Sequence, residues 1–138
     1  MPDDLQTYQG VAYPWHCDHM GHMNVMFYVG KFDEASWHLL TSIGLGPAAL
    51  KAAGRGMVAL EQHITYRREV LAGDVLTVRS TLLDLRPKVL TLRHEMRDAA
   101  TGEVVALMDL TTAHIDTVLR RATPFPDTVR ETIRSQLS

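Results

Sequence analysis

One long segment of the chain repeats apolar residues at three- and four-residue steps, the spacing that predicts an amphipathic helix. The segment runs for about five turns after Asn24, a plausible N-cap, and it stops at Gly44 and Gly46, before Pro47. A second, shorter helix is predicted at 47–54. The apolar face of the long helix is expected to hold Val25, Tyr28, Val29, Phe32, Ala35, Leu39 and Ile43, and much of the opposite face Lys31, Asp33, Glu34 and His38.

Along most of the remaining chain, apolar and polar residues alternate with a period of two, which predicts antiparallel strands. One short strand precedes the long helix, and Pro14 within it indicates an edge or a bulge. The chain closes with an extended segment and a short helix, for which Asp127 is the expected cap. The predicted strands are 8–16, 57–70, 75–85, 88–98 and 103–116.

Two of these strands carry further information. The last one is apolar on both faces for about six residues, which favours a central position in the sheet or a subunit interface. In the strand at 57–70, one face is expected to hold Val58, Leu60, Ile64, Tyr66 and Val70, and the other Glu61, His63, Thr65, Arg67 and Glu69.

One strand, a long helix and four more strands make an α+β fold. A single helix cannot cover both faces of a strongly curved sheet, so the simplest packing wraps a sheet of five or six strands around the helix. At 138 residues the chain fits one domain, spanning 1–138. Such a domain usually buries its remaining apolar surface by dimerising.

Composition excludes several classes of function. A net charge of −2 gives no electrostatic footprint for nucleic acid or an anionic membrane, and no apolar stretch approaches the roughly 18–20 residues of a membrane helix. The first ten residues, "MPDDLQTYQG", lack the basic and apolar regions of a signal peptide. The single cysteine excludes an internal disulfide framework. We therefore expect a cytoplasmic protein.

The stretch "WHCDHMGHMN" at 15–24 concentrates reactive side chains, and two interpretations of it are weak. Zinc needs three or four converging ligands, and His16, Asp18, His19 and His22 have no second cluster elsewhere in the sequence, which disfavours a metal site. A nucleophilic thiol needs a lowered pKa. Cys17 lies several residues before the helix, and we expect it to be a small buried hydrophobic residue.

A third interpretation concerns the carboxylate of Asp18 and the start of the helix. Unpaired backbone N–H groups and the positive end of the helix dipole favour developing negative charge there, which describes an oxyanion hole. Asp18 could attack a carbonyl beside it or activate water, with His22 and Asn24 orienting either group. Alternatively, Asp18 and Asn24 are ordinary turn and cap residues. Composition and spacing leave both possibilities open.

The longer string "CDHMGHMNVMFYVGKFDEA" resembles the signature of hotdog-fold acyl-CoA thioesterases of the 4-hydroxybenzoyl-CoA thioesterase type. Weaker resemblance continues through "ITYRREVLAGDVLTV" and "RATPFPDTVRE". It implies a hotdog fold, homodimers often paired into tetramers, and hydrolysis of an acyl-CoA thioester without metal or cofactor. The residues that carry the signature are Asp18, Gly21, His22, Asn24 and Tyr28.

The resemblance also implies residue roles. Asp18 is expected to be the nucleophile or general base, and the backbone N–H of Met23, Asn24 or Val25 to polarise the thioester carbonyl. Some relatives carry a histidine seven residues after the aspartate, where this chain has Val25, so His22 does not inherit that role and is only a candidate site residue.

The remaining candidates concern the substrate. Arg67 and Arg68 are candidates for the phosphates of coenzyme A, and Glu61 and His63 for the acyl pocket. The acyl group stays open between aromatic, short-chain and cationic types such as betainyl, for which aromatic side chains could form a wall. A hotdog domain that binds acyl-CoA or another small ligand without hydrolysis is the alternative. The aromatic candidates are Tyr13, Trp15, Tyr28 and Trp37.

Overall fold

Six antiparallel strands form one sheet in the computed structural model, which describes residues 4–137 of the chain. A short 3-10 turn at Pro14–His16 separates the first strand from the long helix. The elements in chain order are β1 (Leu5–Val11), α1 (Val25–Ser42), α2 (Pro47–Ala53), β2 (Arg55–Tyr66), β3 (Val75–Leu85), β4 (Val89–Asp98), β5 (Val104–Asp116), β6 (Arg121–Ala122) and α3 (Asp127–Gln136).

The strand order is β1-β3-β4-β5-β2, and the short β6 pairs with β5. The prediction of an α+β fold with five or six strands around one long helix is therefore confirmed. Of the two placements predicted for the last long strand, the structure shows the central one, because β5 lies between β4 and β2. β1 and β2 pair with one main strand each.

The long helix α1 supplies the centre of the core. Phe32, Ala35 and Leu39 are fully or almost fully buried, and burying a large apolar side chain contributes roughly 1.5–3 kcal/mol. The predicted N-cap is confirmed, since the Asn24 side chain accepts a hydrogen bond from the Met26 amide. Val25 departs from the prediction: it lies at the first helical position and is 57% exposed.

Lys31 also differs from its predicted place on the polar face of α1. It is only 5% exposed, and its Nζ donates a hydrogen bond to the hydroxyl of Tyr8 at 2.9 Å. Strand β1 packs against α1 and covers the aliphatic part of this lysine, as long basic side chains allow.

A bulge in β2 changes the predicted distribution of its side chains. The pairing register with β5 shifts between Ala59 and Glu61, so one residue is inserted and the alternation reverses. Val58 and Ile64, predicted to share a face, therefore lie on opposite faces. Ile64 is opposite the buried Met108, on the helix side.

Two predicted local features were wrong in detail. Pro14 does not lie in a strand: β1 ends at Val11, and Pro14 opens the 3-10 turn, where its fixed φ and missing N–H are tolerated. Asp127 does not cap α3. Pro126 is the N-cap residue. Asp127 lies in the first turn, where its negative charge interacts favourably with the positive end of the helix dipole.

A chain of buried hydrogen bonds connects α1 to three strands through His94. The His94 ring lies 2.8 Å from the Ser36 hydroxyl through Nε2 and 2.5 Å from the Ser80 hydroxyl through Nδ1. Ser80 in turn lies 2.6 Å from Thr7, and Ser36 donates to the Phe32 carbonyl. When His94 is neutral and carries its proton on Nε2, the ring donates to Ser36 and accepts from Ser80, so the hydrogen bonds run in one direction along the chain. Burial favours the neutral ring, because it lowers the pKa of His94 to about 4.

This lowered pKa predicts a loss of stability in mild acid. The unfolded imidazole titrates near 6.5, so its contribution is fully present above that pH and is lost as the pH falls from 6.5 to 4. The free energy of unfolding should decrease by about 3 kcal/mol over this window. Urea denaturation at several pH values measures the decrease.

The control is His38→Gln, which removes an exposed histidine and should leave the decrease unchanged. His94→Gln should flatten it. NMR titration of the His94 ring in the unmodified protein gives an independent measurement, and a pKa near 6.5 would contradict the prediction.

Candidate active site

A tight turn before α1 places Asp18 next to the start of the helix. Cys17 and Met23 form an antiparallel bridge, within which the Asp18 amide donates to the His22 carbonyl at 3.2 Å and the Gly21 amide to the Asp18 carbonyl at 3.0 Å. Gly21 has a φ of 85°, which a residue with a Cβ adopts only with strain. The glycine thus allows the reversal that returns the chain to Asn24.

Asn24 holds the carboxylate of Asp18 in a fixed orientation. Its Nδ2 donates to Asp18 Oδ2 at 2.8 Å, while the Met20 amide donates to Asp18 Oδ1 at 2.9 Å. The hydrogen bond from Asn24 is the main cause that lowers the pKa of Asp18 below its ordinary value, and the Met20 amide adds to it. The carboxylate is therefore ionised at neutral pH, and each oxygen keeps a lone pair free for chemistry.

Of the three candidate oxyanion donors, the structure leaves one free. The Met23 amide donates to the Val70 carbonyl at 2.7 Å and the Asn24 amide to the His16 carbonyl at 2.9 Å. Neither can serve as predicted, because a single N–H that already has a short bond is not available. The Val25 amide has no acceptor among residues 4–137.

An open cleft of about 340 Å³ adjoins the start of the helix. Two tyrosine rings in it, those of Tyr28 and Tyr66, have centroids 5.1 Å apart and planes at 84°. The Tyr28 hydroxyl lies 3.5 Å from the Arg68 carbonyl, and burial raises the pKa of Tyr28, so it remains a neutral phenol. We call this the helix-start cleft; it is lined by His22, Met23, Val25, Tyr28, Tyr66, Arg67, Arg68 and Glu69.

The charged residues of the helix-start cleft differ in their partners. Arg68 forms an ion pair with Glu103. Within the described part of the chain, Arg67 and Glu69 make no ion pair. One free cation and one free carboxylate therefore line the cleft.

The structure brings together most of the predicted site residues. The turn residues Asp18 and Gly21 adjoin the helix start, and the helix-start cleft contains His22, Tyr28 and the two arginines. Glu61 and His63 are placed elsewhere. They pair with Thr111 and Asp109 of β5, on the face of the sheet opposite the buried residues that meet α1.

Sequence reasoning missed Tyr66 and Glu69 as cleft residues. The pattern placed them on opposite faces of one strand, but β2 ends at Tyr66 and the following backbone turns. Both side chains therefore reach the same cleft. The available signal was their position beside the two arginines in "TYRRE".

A second cleft, of about 170 Å³, lies between α1 and β2. Asp33 and Trp37 line it from the helix, and Met57 and Gln62 from the strand. We call it the α1–β2 cleft. Asp33 is eight residues beyond Val25, which is about 12 Å along a helix.

Other features of the sequence motif have local roles. Cys17 is half-buried rather than buried as predicted, and its Sγ lies 3.8 Å from the Tyr13 carbonyl. Among residues 4–137, no three His, Cys, Asp or Glu side chains are grouped so that they could hold a metal ion. Over the same residues, no helix is long and apolar enough to cross a membrane.

Comparison with known proteins shows which family the chain resembles. Residues 13–133 match the thioesterase-like superfamily. A betainyl-CoA thioesterase of Pseudomonas aeruginosa is 30% identical over 125 residues, which cover 91% of this chain and 79% of the relative. A bifunctional L-carnitine dehydrogenase/betainyl-CoA thioesterase of Agrobacterium fabrum is 37% identical over 109 residues, which cover 79% of this chain and 22% of that protein.

Solved structures agree on the fold. A hypothetical protein of Staphylococcus aureus in complex with CoA superimposes with a TM-score of 0.89 at 23% identity, covering 96% of this chain and 84% of that one. The hotdog fold is confirmed, and so is the predicted class of enzyme, a thioester hydrolase. The chain thus belongs to the thioesterase-like superfamily, whose match takes in both the Asp18 turn and the helix start.

Proposed function

We propose that this chain hydrolyses an acyl-CoA thioester to the free acid and CoA, with Asp18 beginning the attack and the Val25 amide binding the oxyanion. The observation that carries the proposal is the arrangement around Asn24. It fixes an ionised carboxylate at the start of a helix whose first amide is free. The thioesterase relatives support the same activity.

In the nucleophilic route, an Asp18 oxygen attacks the thioester carbonyl carbon and the carbonyl oxygen takes up the negative charge. The Val25 N–H donates to that oxygen. The C–S bond then breaks, CoA leaves as the thiolate, and water hydrolyses the acyl–aspartyl anhydride to restore Asp18. In the general-base route, Asp18 instead takes a proton from the attacking water. The lowered pKa of Asp18 keeps the carboxylate ionised at neutral pH, as both routes require.

Asp18→Asn should reduce kcat for CoA release by about three orders of magnitude or more, because the amide is neither a good nucleophile nor a base. The measurement is release of the CoA thiol across a panel of aromatic, short-chain and cationic thioesters. Cys17→Ser and addition of a chelator are controls that should leave the rate unchanged. Unaltered hydrolysis by Asp18→Asn would overturn the assigned role. Tight binding of acyl-CoA by the unmodified protein, with no turnover on the panel, would support a non-catalytic binding domain.

A single turnover in H₂¹⁸O separates the two routes. If Asp18 is the nucleophile, and water attacks the aspartyl carbon of the anhydride, mass spectrometry will find label in the peptide that contains Asp18. If Asp18 is a general base, all of the label will enter the released acid. Water that attacks the acyl carbon of the anhydride would also label the acid, so trapping the anhydride with hydroxylamine completes the test.

Val25→Pro removes the proposed oxyanion donor while the helix is retained. Proline is favoured at the first helical position, and Asn24 before it already has the extended backbone that proline requires, with φ −70° and ψ 148°. We expect kcat to fall by about 10²–10³, the cost of one oxyanion donor. Val25→Ala is the matched control, with the side chain shortened and the amide kept. Equal activity of the two variants would exclude the Val25 amide as donor.

The proposal extends to the nucleotide end of the substrate. Arg67 is the stronger candidate for the phosphates of CoA, because it has no ion-pair partner among the described residues, whereas Arg68 is paired with Glu103. Glu61 and His63 are not part of our proposed acyl site, since they lie on the outer face of β2. The cytoplasmic location and the single domain at 1–138 stay predictions.

We further propose that the protein is a homo-oligomer assembled through β2. This strand is 12 residues long, lies at the edge of the sheet and is mostly exposed. Val58 and Leu60 are 38% and 60% exposed on it. A long apolar edge of this kind readily pairs with another strand, and a second copy of the same edge is the partner that symmetry favours.

Leu60→Glu should therefore weaken self-association and lower the mass measured by light scattering during size-exclusion chromatography. The charge would be buried in the interface without a partner. Leu119→Glu is the matched control, because Leu119 is almost equally exposed, at 58%, but lies next to β6. A Leu60→Glu protein with the same mass as the unmodified one would exclude this edge as the interface.

A further inference from the structure

The helix-start cleft has an aromatic corner directly beside the proposed oxyanion donor. Tyr28 and Tyr66 meet at 84°, so their rings form two perpendicular walls instead of a parallel stack. The contact of the Tyr28 hydroxyl with the Arg68 carbonyl holds that ring in position. Tyr66 is 45% exposed and available to a ligand.

A free carboxylate accompanies this corner. Glu69 lines the same cleft and has no ion pair among residues 4–137. Of the two arginines in the cleft, Arg68 is compensated by Glu103, and Arg67 is the cation proposed above for the phosphates of CoA. The ionised Asp18 lies at the helix start next to the cleft. Tyrosine rings and carboxylates together favour a cation that has no hydrogen-bond donors of its own.

Distance along the helix fixes where such a cation would lie. Val25 and Tyr28 are three residues apart, a rise of about 4.5 Å. Val25, Tyr28 and Tyr66 also line the same cleft, so a short acyl group whose carbonyl oxygen is bound to the Val25 amide would extend toward the tyrosine pair. The distance suits a charge that is one methylene away from the thioester carbonyl.

We propose that the helix-start cleft selects small acyl groups with a quaternary ammonium next to the thioester, and that Glu69 and Tyr66 determine this specificity. The inference rests on the proposed acyl-CoA hydrolysis and names its substrate class. The curated relatives are consistent with it, because they are named as betainyl-CoA thioesterases or as fusions that contain one.

The α1–β2 cleft is the competing location. It also combines a carboxylate with an aromatic ring, through Asp33 and Trp37. Its carboxylate lies about 12 Å along the helix from Val25, which a short acyl group held at the Val25 amide of the same chain does not span. The helix-start cleft is therefore preferred.

The test compares two substrates of the same shape. Trimethylammonioacetyl-CoA and 3,3-dimethylbutanoyl-CoA differ only in a positively charged nitrogen where the second has a carbon. We expect kcat/KM to be at least about tenfold higher for the cationic thioester, a ratio that corresponds to the strength of one partly desolvated cation–π and charge contact.

Single-residue variants show which side chains cause the higher kcat/KM for the cationic thioester. Glu69→Gln and Tyr66→Leu should each lower it by about threefold to tenfold, and Asp33→Asn should leave it within about twofold. Loss of the ratio in Asp33→Asn but not in Glu69→Gln would overturn the proposal in favour of the α1–β2 cleft. Equal kcat/KM for both thioesters in the unmodified enzyme would overturn the cationic specificity and leave the hydrolase function standing.

Binding measurements keep the two proposals separate. Calorimetry on Asp18→Asn compares the dissociation constants of both thioesters without turnover and without the charge of Asp18. Tighter binding of the cationic thioester, lost in the Asp18→Asn/Glu69→Gln double variant, supports the inference even if neither thioester is hydrolysed by the unmodified protein. Equal dissociation constants would overturn it.

Discussion

The side-chain amide of Asn24 is the contact on which the candidate site depends. Its oxygen accepts from the Met26 amide and so begins α1, while its nitrogen donates to Asp18. The same side-chain amide therefore determines where the helix begins and how the carboxylate is oriented. A side chain that could only cap would leave Asp18 held by the Met20 amide alone. Aspartate cannot replace both functions, because an ionised carboxylate has no donor.

The choice of oxyanion donor follows from how the rest of the fold uses the neighbouring amides. The loop after β2 occupies the Met23 amide through the Val70 carbonyl, and the 3-10 turn occupies the Asn24 amide through the His16 carbonyl. Both bonds attach the turn that contains Asp18 to other parts of the molecule. The Val25 amide is what remains, since the first amides of a helix have no partner within the helix. Two of three consecutive amides therefore support the structure, and the third is free for the proposed catalytic role.

Local periodicity was enough to predict the elements that set up the site. The 18-residue helix, its Asn24 cap and the central position of β5 each depend on residues close in sequence, so the pattern contained them. One contact that decides which amide stays free is not local. The occupied Met23 amide depends on Val70, 47 residues away, and no spacing rule includes such a bond.

Errors in the strand at 57–70 have a related cause. A bulge adds one residue at a position that no residue type identifies, and every side chain beyond it changes face. Glu61 and His63 were assigned together to the acyl pocket and lie together on the outer face. Tyr66 and Glu69 were separated by the same alternation, which the end of β2 interrupts. An alternation of period two therefore predicts the face of a side chain only within a stretch of strand that contains no bulge and no end.

The electrostatics of the helix start link the resting site to the proposed reaction. At rest, the positive end of α1 faces the ionised Asp18 and helps to keep it charged. During nucleophilic attack the negative charge moves from Asp18 to the carbonyl oxygen at the Val25 amide, so it stays at the same end of the same dipole. The field that stabilises the resting carboxylate therefore also stabilises the transition state, and no dipole has to reorient as the charge moves.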